Sequence, residues 1–225
     1  MAETVFDDLI LHDLKSPLSG ITSMVEMFLS GLLGPLTEDQ IKSFYLIKTS
    51  AKQISSLLME LQVIRNIESK NFEPRKESFS AEELLKEIQW LKNSAEKEGK
   101  ELITDVENTL IISADKELAI RMAEDLILNG IKQSERGAKI NFNIKREKNR
   151  ILFEVIDSGK GVPKEYLPRV FDKSFKTDNP QLKTKIGPGL GFHFCKLVVE
   201  AQGGEIAMEN LPKKGSRYYF YLPVS

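Results

Sequence analysis

The chain of 225 residues is poor in the residues that build many enzyme sites: one cysteine (Cys195), two histidines (His12 and His193) and one tryptophan (Trp90). A single thiol excludes a disulfide framework and a cysteine-based zinc site. Two histidines argue against a histidine-rich metal enzyme, although one suffices if the chemistry happens on it. No run of about 18 apolar residues occurs, so no membrane-spanning helix is expected. The N-terminal MAETVFDDLI is acidic and lacks the basic-then-apolar order of a secretion signal, so a cytoplasmic location is expected. An excess of one charge is also missing, with 32 Lys+Arg against 33 Asp+Glu and a net charge of -1. That removes the global positive field of a nucleic-acid binder, and no nucleic-acid partner is expected. What the chain does have is 41% hydrophobic residues. That is enough for a core, and with so small a net charge it excludes a disordered chain.

The first third is patterned in heptads. Leu11, Leu14, Leu18, Ile21, Val25, Phe28 and Leu32 follow a 3-4 spacing, as do Phe44, Ile47, Ala51, Ile54, Leu58 and Leu61. Gly31, Gly34 and Pro35 break the first helix. Thr37 before Glu38, Asp39 and Gln40 predicts an N-cap with its capping-box glutamine. Two such helices make an antiparallel hairpin, which buries too little to stand alone. Pairing two copies into a four-helix bundle is the economical solution, so a homodimer, or association with a partner's helix pair, is expected.

Residues 67–79 are polar, contain Pro74 and read as a linker. Beyond them the pattern is mixed. A helix is expected over 80–98, opened by a Ser80/Glu83 capping box, with Trp90 packing it against a sheet. Short strands are expected at 101–106 and 109–114, a helix at 115–133, and a hairpin at 139–146 and 150–156. A loop-rich stretch, 157–187, carries Lys173, Lys176, Lys183 and Lys185. A helix over 188–202 ends at Gly203-Gly204, and strands at 205–209 and 215–222 close the chain. The expected domains are 1–66, a linker at 67–79, and 80–225. The fold class is α+β, with a helical hairpin forming a dimeric four-helix bundle before an α/β sandwich with a mixed sheet.

Three groups of residues suggest a phosphate-bearing ligand. Asp157-Ser158-Gly159-Lys160-Gly161-Val162-Pro163 directly follows a strand. Its glycines allow a sharp turn and a close backbone approach. An aspartate ending a buried strand needs a specific donor, and the exocyclic amine of adenine is one. Gly187-Pro188-Gly189-Leu190-Gly191 opens a helix, where free N–H groups and the helix dipole suit phosphate. Alone, each motif also fits an ordinary glycine turn. The third group, Asp125, Asn129 and Lys132, shares one face of the helix 115–133. It fits a solvated face, but the amide also suits Mg²⁺ and the lysine a phosphate.

Together these segments resemble the nucleotide-binding domain of two-component sensor histidine kinases, within the superfamily that includes gyrase, Hsp90 and MutL. Residues 124–132 resemble the asparagine-containing box, 157–163 the first glycine box and 187–191 the second. Val170-Phe171-Asp172-Lys173-Ser174-Phe175 resembles the box that begins the ATP lid, and all four stand in family order. The resemblance implies ATP and Mg²⁺ as cofactors. It further implies that Asn129 ligates Mg²⁺, Asp157 reads adenine and Lys132 contacts phosphate, with Gly159, Gly161, Gly187, Gly189, Leu190 and Gly191 shaping the nucleotide loops.

His12-Asp13-Leu14-Lys15-Ser16-Pro17-Leu18 lies on the first heptad helix. A lone helical histidine is usually structural. Here, however, Pro17 sits inside the helix, where it costs about 3 kcal/mol, and Asp13 adjoins the imidazole. The segment resembles the phosphoacceptor box of histidine kinases, so the likeness covers nearly the whole chain. It implies that His12 attacks the γ-phosphoryl of ATP with Asp13 as base or orienter. It also implies that the phosphoryl group passes to an aspartate on a response-regulator receiver domain, and that Asp13 and Ser16 support dephosphorylation of that regulator. His193 is expected to be a packing or surface residue, and Cys195 a small buried one.

Two departures qualify the likeness. Where many histidine kinases carry a second asparagine, four residues before Asn129, this chain has Asp125. That residue is either a second metal-shell ligand or a group favouring ATP hydrolysis. Only eleven residues precede His12, which suggests either an excised core of a longer sensor or a kinase fed by a sensory partner. An ATPase, or a non-catalytic phosphotransfer scaffold, is the alternative function.

Overall fold

A computed structural model describes the backbone of residues 2–107, 109–173 and 190–224, with side chains from residue 13 onward within those ranges. The chain forms two units, Met1–Glu68 and Ser69–Ser225. In the first, the heptad segments form α1 (Ala2–Leu29) and α2 (Glu38–Glu68). Pro17 lies within α1. Leu32, expected on the seam, falls in the turn beyond α1 and is exposed. Thr37 and Gln40 cap α2 reciprocally: Thr37 N–H donates to Gln40 Oε1 (2.8 Å) and Gln40 N–H to Thr37 Oγ1 (3.3 Å).

The hairpin is antiparallel, since Lys15 donates to Gln62 (2.6 Å), Glu26 pairs with Lys48 (2.9 Å) and Phe28 stacks on Phe44 (4.6 Å). Only alternate seam positions are buried. Leu18, Ala51 and Leu58 cluster and Val25 is also buried, whereas Leu14, Ile21, Ile47, Ile54 and Leu61 remain between 40% and 48% exposed. One hairpin therefore covers half of its own heptad seam.

The second unit begins where a linker was expected. Lys76–Ser80 is a strand, β1, antiparallel to β3 (Ile111–Asp115), so the link is confined to 69–75. The Ser80/Glu83 capping box forms in full. The expected single helix is divided at Gln89 into α3 (Ala81–Ile88) and α4 (Trp90–Lys97). Trp90 is largely exposed rather than packed on a sheet, and its Nε1 donates to Glu124 (3.0 Å). An N-cap exchanged for alanine costs about 1 kcal/mol. Ser80→Ala is accordingly expected to lower the unfolding free energy of this unit by that amount, measured by urea titration.

The main sheet contains β2 (Glu101–Val106), β4 (Lys139–Glu147), β5 (Arg150–Ile156), β6 (Glu205–Asn210) and β7 (Ser216–Pro223), in the order β2-β4-β5-β7-β6. Only the β2–β4 pair is parallel, so the sheet is mixed. Its inner face carries Ile140, Phe142, Phe153, Val155, Tyr218 and Phe220, all buried. Phe153 and Phe220 face one another across β5 and β7 and stack at 4.5 Å. Burial of each such ring contributes about 1.5–3 kcal/mol. Two helices cover this face, α5 (Lys116–Gln133) and α6 (Leu190–Ala201). Gly130 of α5 lies against Val155 and Ile140, and Phe192 of α6 stacks on Tyr218. The 3-10 helix Lys164–Arg169 follows the loop after β5. This layering brings the end of β5, the face of α5 and the start of α6 to one end of the sandwich.

Candidate nucleotide site

Asp157 leaves the C-terminal end of β5 fully buried. Its N–H donates to the Ser216 carbonyl (2.9 Å), and its Oδ1 accepts from the N–H groups of Gly159 (2.6 Å) and Ser216 (3.2 Å). Its Oδ2 is buried with no hydrogen-bond partner. Burial pushes this carboxyl above the usual carboxylate range, against the pull of those two N–H groups. A buried carboxylate oxygen without a donor is costly to maintain. It is what a ligand donor would satisfy.

The loop that follows admits no side chain at its glycines. A Cβ on Gly159 would sit 2.8 Å from the Gln133 carbonyl oxygen. Gly161 has φ +75, and a Cβ there would sit 2.7 Å from Asn210 Oδ1. Asn210, at the end of β6, bonds Val162 twice, accepting from its N–H (2.9 Å) and donating to its carbonyl (2.6 Å).

On α5, Asn129 is half-buried and its Nδ2 is buried without a hydrogen-bond partner. Lys132 is exposed in the last turn. Asp125 is engaged one turn back on its own helix, where Arg121 holds Oδ1 at 2.6 Å; its Oδ2 lies 3.4 Å from where a Cβ on Gly191 would stand. The Asp125 carboxylate thus borders the start of α6. Tyr218, which is buried, responds to both Asp157 and Asn129. Burial first, then the Asp157 charge, push its phenol up, while the side chains of Ser216 and Asn129 pull the other way.

Leu190 and Gly191 open α6, whereas Gly187 and Gly189 lie outside the described residues, as do Lys176, Lys183 and Lys185. His193, in the first turn of α6, places Nδ1 at 3.1 Å from the Phe171 carbonyl oxygen. A carbonyl only accepts, so this contact requires the Nδ1–H form. Phe171 also touches Phe192 (5.6 Å). His193 is therefore a packing residue, and Cys195 is buried. In the other unit His12 lies on α1, its side chain outside the described residues, and residues 13–17 are all exposed, Asp13 and Ser16 among them.

Asn210, Tyr218 and Arg121 also border this site, outside the motifs named above. Only Arg121 had a local signal, its i,i+4 spacing to Asp125.

The fold and loop together define a class: an α/β sandwich with a glycine-rich turn wrapped around a buried, half-satisfied carboxylate. The family of histidine kinase-, DNA gyrase B-, and HSP90-like ATPases matches residues 114–225. Over 216 residues the chain is 28% identical to the sensor protein KdpD of Clostridium acetobutylicum, covering 95% of this chain and 24% of that protein. Over 217 residues it is 25% identical to the sensor protein SrrB of Staphylococcus aureus, covering 95% of this chain and 37% of that one. The full-length ShkA structure, in complex with AMPPNP, shares the fold with a TM-score of 0.72 and 22% identity, over 97% of this chain and 45% of that one. The Acinetobacter baumannii histidine kinase AdeS shares it with a TM-score of 0.63 and 17% identity, over 95% and 98%. Residues 114–225 thus match that ATPase family, and nearly the whole chain is similar in sequence to parts of sensor proteins and in fold to histidine kinase structures. The match to that ATPase family supports ATP binding. The chain spans about a quarter to a third of the sensor proteins it matches. No described helix is long and apolar enough to cross a membrane.

Proposed function

We propose that this chain transfers the γ-phosphoryl group of ATP to its own His12 and then to an aspartate on a response-regulator receiver domain. The observation that carries the proposal is the His12-Asp13-Leu14-Lys15-Ser16-Pro17 segment. It stands on a long helix, exposed over residues 13–17, in the same chain as an ATPase domain.

In this reading an imidazole nitrogen of His12 attacks the γ-phosphorus in line. An N–P bond forms, the bond from the γ-phosphorus to the β,γ-bridging oxygen breaks, and ADP leaves. Asp13 takes or orients the imidazole proton. Asp157 Oδ2 accepts the exocyclic amine of adenine, and Gly159 and Gly161 let the loop backbone approach the base. The second glycine-rich segment, Gly187, Gly189, Leu190 and Gly191, contacts the phosphates, with Leu190 and Gly191 at the helix N-terminus of α6, and Lys132 adds a point charge.

The residues fit Mg²⁺. The half-buried Asn129 amide carries a hard neutral oxygen. Among the described residues no group of three acidic, histidine or cysteine side chains could hold a metal, so phosphate oxygens would complete the shell. When bound, Mg²⁺ would neutralise charge on the triphosphate. Asp125, held by Arg121, would border this site beside the start of α6. Asp13 and Ser16 together would serve dephosphorylation of the regulator.

The working form is a cytoplasmic homodimer fed by an upstream sensor domain or sensory partner. The support for the dimer is the half-exposed heptad seam. Ile54→Glu, which places a charge in that seam, is expected to shift the mass measured by light scattering from two chains to one, without loss of helicity.

Incubation with γ-labelled ATP tests the proposal. Acid-labile label on the protein supports it. Free phosphate without labelled protein points to an ATPase, and neither product to a phosphotransfer scaffold.

A further inference from the structure

The loop after β5 is gripped at both ends by one hairpin. At its start, Asp157 exchanges two bonds with Ser216, through its own N–H (2.9 Å) and its Oδ1 (3.2 Å). At its far end, Val162 exchanges two with the Asn210 side chain (2.9 and 2.6 Å). Asn210 and Ser216 are themselves opposite one another in the β6–β7 pairing, and Leu211 N–H donates to the Gly215 carbonyl (3.0 Å) to close the turn. The amide orientation is fixed, because only oxygen toward the N–H and nitrogen toward the carbonyl satisfies both bonds. Gly161, bare at φ +75 against Asn210 Oδ1, is what lets this side chain reach the loop.

We propose that Asn210 is the specificity-determining positioning residue of the nucleotide site: its double bond to Val162 holds the loop at a set distance from the unpaired Asp157 oxygen, so that the site takes a purine bearing an amine and rejects one bearing a carbonyl. The inference rests on the adenine reading above. An acceptor discriminates amine from carbonyl only while its geometry is held, since a hydrogen bond weakens steeply with misalignment. Guanine presents an oxygen where adenine presents its amine, and that oxygen repels the carboxylate. With the far end of the loop released, either base can shift to lessen that difference. Asn210 touches no reacting atom, so it acts on binding rather than on transfer.

The test is calorimetric titration of the full chain with ATP and with GTP, for wild type, Asn210→Ala and Asn210→Ser, alongside thermal melting of each without nucleotide. The wild type is expected to prefer ATP. Loss of two neutral hydrogen bonds predicts about tenfold weaker ATP binding in Asn210→Ala, with GTP changed less than about twofold, so that discrimination narrows by nearly the same factor. Asn210→Ser, which keeps an acceptor near the Val162 N–H, is expected to fall between, and it carries the test if Asn210→Ala folds poorly. Unchanged discrimination in both variants overturns the proposal while leaving the adenine reading in place. So does an equal loss of both affinities together with a lowered melting temperature, which would mark a structural role. A wild type that binds neither nucleotide overturns the adenine reading itself.

Discussion

His12→Gln is expected to reduce the acid-labile label acquired from γ-labelled ATP to background, while ATP affinity stays at the wild-type value. Glutamine approximates the length and polarity of histidine but has no nucleophilic ring nitrogen, so no N–P bond can form. The substituted residue lies on α1 in the unit Met1–Glu68, and the loop that holds Asp157 lies in the unit Ser69–Ser225. Binding and transfer should therefore separate cleanly. A variant that kept its label would place the acceptor elsewhere. His193, the only other histidine, already uses Nδ1 against the Phe171 carbonyl. The double variant His12→Gln/His193→Gln would settle that case.

Asp157→Asn is expected to weaken ATP binding by about 10- to 100-fold, the cost of replacing a buried acceptor with a donor facing the adenine amine. The same substitution is expected to raise the melting temperature of the nucleotide-free chain. The sign follows from burial, which raises the Asp157 pKa in the folded state above its ordinary value. The folded state then holds the proton more tightly than the unfolded one. The carboxylate is thus a stability cost above the folded pKa, and that cost disappears as pH falls through it. Asparagine removes the cost at neutral pH. Wild-type ATP affinity should decline as pH falls into the raised range, because protonation removes the free acceptor, whereas the variant should show no such decline. Calorimetry and thermal melting across pH read both effects. Equal ATP affinity for variant and wild type would count against the role of Asp157 in base recognition.

Some of this architecture was legible because its causes are local. The heptad residues Leu18, Val25, Ala51 and Leu58 repeat at intervals a helix must place on one side, and they are buried there. Thr37 with Gln40, and Ser80 with Glu83, satisfy each other over three residues, so their caps could be read directly. Strand β1 could not. Lys76-Glu77-Ser78-Phe79-Ser80 has one apolar residue, and it is a strand because β3, far along the chain, pairs with it. The division at Gln89 left no mark either, since its backbone (φ -57, ψ -27) stays helical and no glycine or proline announces it.

The site divides the same way. Asp157, Gly159 and Gly161 could be read because a strand end and a tight turn constrain residue type. Asn210 could not, since its partner Val162 is 48 positions away and the contact depends on how β6 is registered on β7. Tyr218 was readable as one inward residue of an alternating strand. The influence of Asp157 and Asn129 on it depends on the pairing of β7 with β5 and on the packing of α5. Asp125 stood out as a departure, but only the fold shows Arg121 holding it at 2.6 Å.

The most direct test of the phosphoacceptor assignment is phosphorus-31 NMR of the wild-type chain after incubation with ATP and Mg²⁺. A protein-bound phosphoramidate signal, lost on acidification and absent from His12→Gln, is expected. Accumulation of ADP with no phosphorus bound to the protein would contradict the assignment.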